Sequence, residues 1–194
     1  PVMGHKRAFG TDTVPGCYDD FEHADLIILV GSNTAWCHPV LFQRIKKHKE
    51  NNPQLKIVVI DPRHTQTCDI ADLFLSVKPG SDAFLFNGLL HYLKDCDALD
   101  WAYIEQHVEG FAATLQAAKD NTGSIPKTAA ACELSEADVA EFFRLFAKTP
   151  KVVTVFSQGI NQSASGTDKC NAIINCHLAT GRIGQPGMGP FSMT

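Results

Sequence analysis

The chain of 194 residues carries a formal net charge of −4 at pH 7, and 44% of its residues are hydrophobic while 20% are charged. This length and composition predict a globular protein with a buried core, arranged as one large or two small domains. The densest basic segment, residues 46–49 (KKHK), is typical of a solvated helix face rather than a nucleic-acid surface. No apolar run approaches the roughly 20 residues that a membrane span requires. We therefore expect neither nucleic acid nor membrane as a partner.

The seven cysteines are scattered without a C-x-x-C pair. This spacing favours neither a disulfide framework nor a zinc site, so we expect no metal site within the chain. Reduced thiols are typical of a cytoplasmic protein, and no signal-peptide pattern opposes that compartment. The chain opens on Pro1 and closes on the Gly- and Pro-rich GQPGMGPFSMT, so we also expect a piece of a longer protein.

The first half of the chain alternates between apolar strands and helices. Residues 26–30 and 55–60 form continuous apolar runs of strand length, and residues 73–77 form a third, shorter one. Between the first two, residues 39–50 have helical periodicity and begin with Pro39, which suits the first position of a helix. This pattern is a strand-helix-strand unit.

The second half continues the alternation after a helical stretch. Ser81 is expected to cap a helix, and several short helices are expected from 101 to 132, within a helical insertion at about 100–150. A capping box at Ser135 opens another helix, residues 152–156 form a fourth strand, and a last helix begins at about residue 167. Its inward positions include His177, which is more typical of a core histidine than of a ligand.

Continuous apolar strands that alternate with amphipathic helices indicate a strand layer buried on both sides. We therefore predict an α/β fold with three layers, in which helices cover both faces of a mainly parallel, Rossmann-like sheet. In such sheets ligands bind beyond the carboxyl ends of the strands, next to helix N-termini. The loops that follow the strands are therefore the candidate site.

Polar residues follow each predicted strand. Gly31 and a Ser-Asn-Thr segment come after the first strand and suit a phosphate, although capping of the next helix explains the same residues. Asp61 and Arg63 follow the second strand, where nucleotide folds bind ribose or a base, although a surface Asp-Arg pair is equally consistent. The remaining loops are Ser81-Asp82 and the amide-rich segment that begins with Gln158. Four polar loops at one edge favour a nucleotide-type ligand.

No G-x-G-x-x-G or P-loop motif is present, so neither an ordinary NAD site nor a P-loop is supported. Four segments in this order nevertheless resemble a known family: VGSNTAWCHP, VVIDPRHTQT, VKPGSDAFLFNGLL and QGINQSASGTDKCNAIINCHLATGRIGQPGMGPFSMT. They cover nearly the whole chain and resemble the catalytic subunits of molybdopterin oxidoreductases of the dimethyl sulfoxide reductase family. The likeness is strongest to the central section of bacterial assimilatory nitrate reductases, with the periplasmic enzymes next.

In that family a molybdenum ion is held by two molybdopterin guanine dinucleotides and is supplied with electrons by a 4Fe-4S cluster. The resemblance implies phosphate contacts after the first strand, guanosine contacts after the second, contacts to the same nucleotide after the third, and pterin contacts after the fourth. The candidate cofactor-binding residues are Gly31, Ser32, Asn33, Thr34, Asp61, Arg63, Ser81, Asp82, Gln158, Gly159 and Gln162.

The cysteine motif of the iron–sulfur cluster and the cysteine ligand of molybdenum are absent from these residues. The resemblance thus implies that residues 1–194 are a central, cofactor-binding region, inactive by itself and without catalytic residues of its own. The parent enzyme would reduce nitrate to nitrite by oxygen-atom transfer, with an electron-donor protein or subunit and the rest of the parent chain as partners. A formate dehydrogenase subunit and a non-catalytic nucleotide-binding module remain alternatives.

Overall fold

The computed structural model describes residues 1–193. The sheet has five strands in the order β3-β2-β1-β4-β5, and every neighbouring pair is parallel. The strands are β1 (Leu26–Val30), β2 (Lys56–Ile60), β3 (Leu73–Leu75), β4 (Val152–Phe156) and β5 (Gly189–Ser192).

Helices pack on both faces of this sheet. The helices are α1 (Val2–Phe9), α2 (Thr34–Cys37), α3 (Pro39–Asn51), α4 (Asp82–Asp95), α5 (Trp101–His107), α6 (Phe111–Thr122), α7 (Ile125–Cys132), α8 (Glu136–Lys148), α9 (Gln158–Asn161) and α10 (Gly166–Ala179). Two 3-10 segments, Tyr18–Glu22 and Gln66–Ile70, join α3 on one face of the sheet. The other face packs against a larger group that includes α4, α8 and α10.

The central position of β1 in the sheet explains why its sequence is continuously apolar. Leu26, Ile28 and Val30 point into the core beneath α4 and α10, whereas Ile27 and Leu29 point into the core beneath α3. All five residues are 0% exposed. A strand with both faces covered has no position for an alternating polar residue. The predicted three-layer α/β fold is confirmed, and the described strands are all parallel rather than mainly so.

Most predicted elements agree with the structure within a residue or two. The third strand is shorter than the predicted 73–77, because the Val77 N–H donates to the Leu75 carbonyl at 3.0 Å in a tight turn that ends the ladder. The short helices predicted from 101 to 132 are α5, α6 and α7, and Gly110 and Gly123 lie at the two ends of α6. Thr194, the last residue of the predicted region, lies outside the described residues.

The sequence patterns missed helix α1 and strand β5, and also the one-turn helices α2 and α9 and the two 3-10 segments. Helix α1 has only eight residues and packs against α10 so closely that a Cβ at Gly4 would lie 2.5 Å from the Cys170 sulfur. Strand β5 lies in the Gly- and Pro-rich C-terminal segment, for which no strand was predicted. Pro190 is tolerated there because β5 is an edge strand, where one missing N–H breaks no second ladder.

The two predicted serine caps differ. The Ser135 hydroxyl accepts a hydrogen bond from the Asp138 N–H at 3.1 Å, which confirms the predicted cap of α8. Ser81 is the residue before α4, but its hydroxyl donates backwards to the Lys78 carbonyl at 2.7 Å and caps no helix N–H. The expected side-chain cap at Ser81 is therefore wrong, and that hydroxyl closes the preceding turn.

The core contains a buried histidine, as predicted. His177 is 0% exposed, its Nε2 lies 2.7 Å from the Thr154 hydroxyl, and its ring packs edge-on against Phe146. Burial, and to a smaller extent the charge of Arg182, hold the pKa of His177 well below its ordinary value of 6.5. The imidazole is thus neutral in the folded protein at neutral pH.

This buried histidine makes stability depend on pH. Below pH 6.5 the unfolded chain binds a proton that folded His177 cannot bind, so stability is retained above that pH and is lost as the pH falls. Between pH 7 and 5.5 we expect the free energy of unfolding to fall by about 1 kcal/mol more than in the His177→Leu/Thr154→Val variant. Urea denaturation across this range measures the difference, and identical pH slopes would contradict the assignment.

No helix within residues 1–193 combines the length and the apolar character that a membrane crossing requires.

Candidate functional site

The carboxyl ends of three neighbouring strands form one rim of a cavity of about 460 Å³. Val30 of β1 is in register with Ile60 of β2 and with Phe156 of β4, so the loops that follow these strands start at the same level. The lining residues are Gly31, Asn33, Cys37, Asp61, Pro62, Arg63, Val77, Pro79, Gly80, Asp82, Ser157, Gln158, Gly159, Ser163 and Lys169.

Two glycines bring the loops after β1 and β4 into direct contact. The Gly159 N–H donates to the Gly31 carbonyl at 3.0 Å, and a Cβ on Gly159 would lie 2.7 Å from both the Cα and the carbonyl oxygen of Gly31. Gly31 itself has φ +53°, a backbone conformation that side chains disfavour. Both positions therefore require glycine, and the wall of the cavity between them is bare backbone.

Asn33 is held by Thr67, which is not among the predicted residues. The fully buried Thr67 hydroxyl donates to Asn33 Oδ1 at 3.1 Å and accepts the Ala35 N–H at 3.1 Å. Asn33 precedes α2 but caps no helix N–H with its side chain, so the simple capping interpretation does not describe it. Because Oδ1 is occupied by Thr67, the amide nitrogen is the group that remains to donate into the cavity.

Ser32 and Thr34 are buried and do not belong to the cavity lining. Their hydroxyl oxygens are 2.9 Å apart, and the two residues are 2% and 0% exposed. Each hydroxyl has the other as a partner, so the pair stabilises the turn between β1 and α2. The neighbouring residues Gly31 and Asn33 do line the cavity, so a ligand would contact these two instead.

Asp61 and Arg63 lie together at the end of β2. Asp61 Oδ1 accepts the Arg63 N–H at 2.9 Å, which fixes the carboxylate by a turn within its own loop. Asp61 is 8% exposed, whereas the Arg63 side chain is exposed. The cavity thus has an oriented carboxylate with one oxygen uncommitted to this turn, beside a guanidinium that is free to adjust.

A buried ion pair joins the N-termini of α4 and α10 within the cavity lining. Lys169 Nζ lies 2.7 Å from Asp82 Oδ2, and the two side chains are 3% and 9% exposed. Asp82 is one of the predicted residues, whereas Lys169 is not. A signal was present, because Lys169 precedes Ile173 and His177 by four and eight residues and so belongs to the inward stripe of α10.

The loop after β4 contributes Ser157, Gln158 and Gly159 to the cavity. The buried Ser157 hydroxyl donates to Gln158 Oε1, which orients that side chain. Gln162 is exposed and lies outside the lining, as does the buried Ser81.

The structure therefore brings together seven of the predicted residues, which are Gly31, Asn33, Asp61, Arg63, Asp82, Gln158 and Gly159. It adds Lys169, Ser157, Ser163 and Cys37 to the lining, and Thr67 behind it. Within residues 1–193 no group of three or more His, Cys, Asp or Glu side chains could hold a metal ion. The cavity combines bare backbone, amide donors, two carboxylates and two cations, which suits a phosphorylated polar ligand.

A larger cavity, of about 550 Å³, lies along α10 between α1 and the segment 107–114. Its lining contains none of the predicted residues and no strand end. Size alone would select this cavity, but the convergence of loops at the carboxyl edge favours the smaller one as the functional site.

The family model described as molybdopterin oxidoreductase matches residues 3–194. The chain belongs to the molybdopterin oxidoreductase family. Among curated members, it is 53% identical over 194 residues to a nitrate reductase of Shewanella frigidimarina and 50% identical over 193 residues to one of Klebsiella oxytoca. An assimilatory nitrate reductase of Haloferax mediterranei is 36% identical over 193 residues. Each alignment covers 100% of this chain.

This molybdopterin oxidoreductase chain spans only part of those relatives, 20% of the Shewanella protein, 22% of the Klebsiella protein and 26% of the Haloferax protein. Among solved structures, acetylene hydratase from Pelobacter acetylenicus superimposes with a TM-score of 0.75 at 19% identity. That match covers 91% of this chain and 23% of the hydratase chain. At this identity the likeness concerns the fold, and it supports the same three-layer architecture.

The contact between the two glycines can be tested by a substitution that adds a single methyl group to one of them. Gly159→Ala places its Cβ against the Gly31 backbone, which cannot rotate away, so we expect a loss of about 1–3 kcal/mol in the free energy of unfolding. Gln162→Ala, an exposed change in the same loop, should stay within about 0.5 kcal/mol of the wild type. Urea denaturation measures both, and equal stability of the two variants would contradict the packing described above.

Proposed function

We propose that this chain is the central cofactor-binding region of a molybdenum-dependent nitrate reductase that reduces nitrate to nitrite by oxygen-atom transfer. The nitrate reductases that are 50% and 53% identical over essentially all of this chain support the proposal. Since the chain spans about a quarter or less of those proteins, it acts as one part of a longer enzyme. The helical stretch from α5 to α8 is an insertion within this region.

We further propose that the cofactor is molybdenum bis(molybdopterin guanine dinucleotide) and that one of its nucleotides lies in the cavity at the strand ends. The composition of the cavity lining gives this proposal its strongest support, because groups suited to phosphate lie there together with carboxylates suited to guanosine. The Asn33 amide nitrogen suits a phosphate oxygen, because Thr67 occupies the amide oxygen and leaves the nitrogen to donate. Gly31 allows a phosphate to approach the backbone closely, while its own N–H donates to the Ile60 carbonyl at 2.9 Å. Carboxylates suit the N–H groups of guanine or the hydroxyls of ribose, because an ionised carboxylate is an acceptor only.

Within this proposal the residues divide by strand. Asn33 donates to phosphate and Gly31 contacts it through bare backbone, with Ser32 and Thr34 stabilising their turn. Asp61 accepts from the guanosine, and Arg63 stacks on it or pairs with phosphate, which its exposed planar side chain allows. Asp82 lies at the same nucleotide, and Ser81 stabilises the turn before it through its hydrogen bond to the Lys78 carbonyl.

The loop after β4 lies toward the pterin in this proposal. Gln158 and Gly159 line the cavity and approach the pterin, and Gln162 extends from the same loop. The amide groups of the two glutamines provide both donors and acceptors, as a pterin edge does.

When bound, the molybdenum cofactor supplies the oxygen-atom transfer and the redox chemistry. The residues of this chain bind and orient it, and none of them acts as a catalytic acid, base or nucleophile. The 4Fe-4S cluster is bound by another part of the enzyme, and a donor protein or subunit supplies the electrons. Nitrate is the substrate. The isolated region is expected to be inactive, since a ligand held by several segments loses most contacts when one is taken alone.

Asn33 gives the most direct test of phosphate binding. In the full-length enzyme, Asn33→Leu removes the donor and should lower cofactor affinity about tenfold, so less molybdenum and less releasable guanine nucleotide copurify. Elemental analysis and nucleotide chromatography after acid release measure the two quantities. Gln43→Leu makes a similar change at an exposed position of α3 and should retain wild-type occupancy. Unchanged occupancy in Asn33→Leu would refute its phosphate role.

The reaction itself can be tested with the full-length enzyme. We expect reduction of nitrate to nitrite with an artificial electron donor and no oxidation of formate. Formate oxidation without nitrate reduction would identify the formate dehydrogenase alternative. Purified protein that lacks both activities, lacks molybdenum and binds guanine nucleotide would identify a non-catalytic nucleotide-binding module.

A further inference from the structure

The ion pair between Lys169 and Asp82 is unusual in where it lies. Both residues are nearly fully buried, at 2% and 7% exposure, yet both line the cavity. Asp82 is the first residue of α4, where a negative charge is favoured by the helix dipole. Lys169 lies in the first turn of α10, where the same dipole disfavours a positive charge. The position of the lysine therefore opposes the electrostatics of its own helix.

Stability alone does not explain this arrangement. A buried ion pair loses the hydration of both charges, and apolar residues of similar volume often stabilise a fold equally well or better. The neighbours of Lys169 on α10, Cys170 and Ile173, are buried and apolar, so an apolar side chain would be compatible with that environment. A charged pair at the edge of a ligand cavity is better explained by the ligand.

Lys169 has more N–H donors than its partner Asp82 uses, so donors remain for a ligand. An ammonium group has three N–H donors, and among the described residues its side chain has one acceptor within reach, Asp82 Oδ2 at 2.7 Å. Lys169 lines the cavity, as Ser163 and Gly159 do, so its other two donors are available to a ligand there. Two uncommitted donors on a fixed, buried cation form a site for an anionic oxygen.

The other cation of the lining differs from this one. Arg63 is exposed and lies in the loop after β2, next to Asp61, so it can follow a ligand but does not pre-form a site. Lys169 is held in place before any ligand binds, which reduces the entropy lost on binding. The cavity thus has one adjustable cation and one fixed cation.

We propose that Lys169 is an anion-binding residue of this cavity, which donates to a phosphate oxygen of the nucleotide, and that Asp82 is the positioning residue that holds its ammonium group there. The identity of the anion as the diphosphate of a pterin dinucleotide rests on the proposed function. The role of Lys169 as the fixed cation for a phosphate does not depend on the pterin. Asp82 then acts on the ligand mainly through Lys169.

The test compares Asp82→Asn with Asp82→Asn/Lys169→Met in the full-length enzyme. These two variants differ only at residue 169, and neither leaves the Asp82 carboxylate buried without its counterion. The amide oxygen that Asp82→Asn introduces still accepts from the Lys169 ammonium and so keeps it in place. If Lys169 binds phosphate, the double variant should retain cofactor about tenfold more weakly than Asp82→Asn, measured as guanine nucleotide and molybdenum per protein after dilution and dialysis. If the pair is merely structural, the double variant should retain cofactor equally well or better, and this result overturns the proposal.

Two further measurements separate failure of this inference from failure of the proposed function. Thermal unfolding of the cofactor-free variants shows whether both are folded, and we expect the double variant to be at least as stable as Asp82→Asn because no lone charge remains buried. Titration of the cofactor-free proteins with inorganic pyrophosphate tests Lys169 without pterin. About tenfold weaker binding by the double variant supports the role of Lys169 even if the wild type contains no pterin nucleotide. Equal binding, or none by the wild type, overturns that role.

Discussion

The contact between the backbones of Gly31 and Gly159 is the constraint on which the site depends. It joins the loops after two adjacent strands at a distance that no side chain allows, and it is closed by one hydrogen bond. Because β1 and β4 are in register along their whole length, this contact also sets where both loops begin. The residues that follow, Asn33 on one side and Gln158 on the other, then reach the same cavity. The position of each polar group is thus a consequence of sheet register first and of side-chain chemistry second.

The second level of organisation is a set of contacts that orient the polar groups of the cavity, from within its lining or, for Thr67, from outside it. Thr67 fixes the Asn33 amide, the Arg63 N–H fixes Asp61, and Lys169 pairs with Asp82. In each case the group that lines the cavity is oriented by a partner from a different position in the chain. A site whose polar groups are fixed before binding loses less conformational entropy when the ligand arrives. This arrangement suits a cofactor that is retained rather than exchanged.

The fold was largely predictable because its strands are continuous apolar runs, a pattern that depends on local sequence alone. The candidate site was predictable to the level of loops, since parallel strands bring their carboxyl ends together wherever the strands lie. The partners of individual side chains were not predictable. Ser32, Asn33 and Thr34 look equivalent in sequence, yet only Asn33 lines the cavity, because a threonine 34 residues away holds it there. Lys169 was overlooked because a lysine in a helix is usually exposed, and only its tertiary partner explains its burial. Strand β5 was missed because Gly and Pro disfavour strands in general and are tolerated at an edge.

The two edges of the sheet have a consequence for how this region joins other polypeptide. The strand β3 at one edge has three residues, and the strand β5 at the other has Gly189 and Pro190 in its first half. A short edge and an edge with a missing N–H are both poor templates for a further strand. Growth of the sheet by addition of a strand from a neighbouring segment is therefore disfavoured at either side. Polypeptide that packs against this region is instead accommodated by its helices and by the loops at the carboxyl edge, so neighbouring segments can close over the cavity without disturbing the order of the strands beneath it.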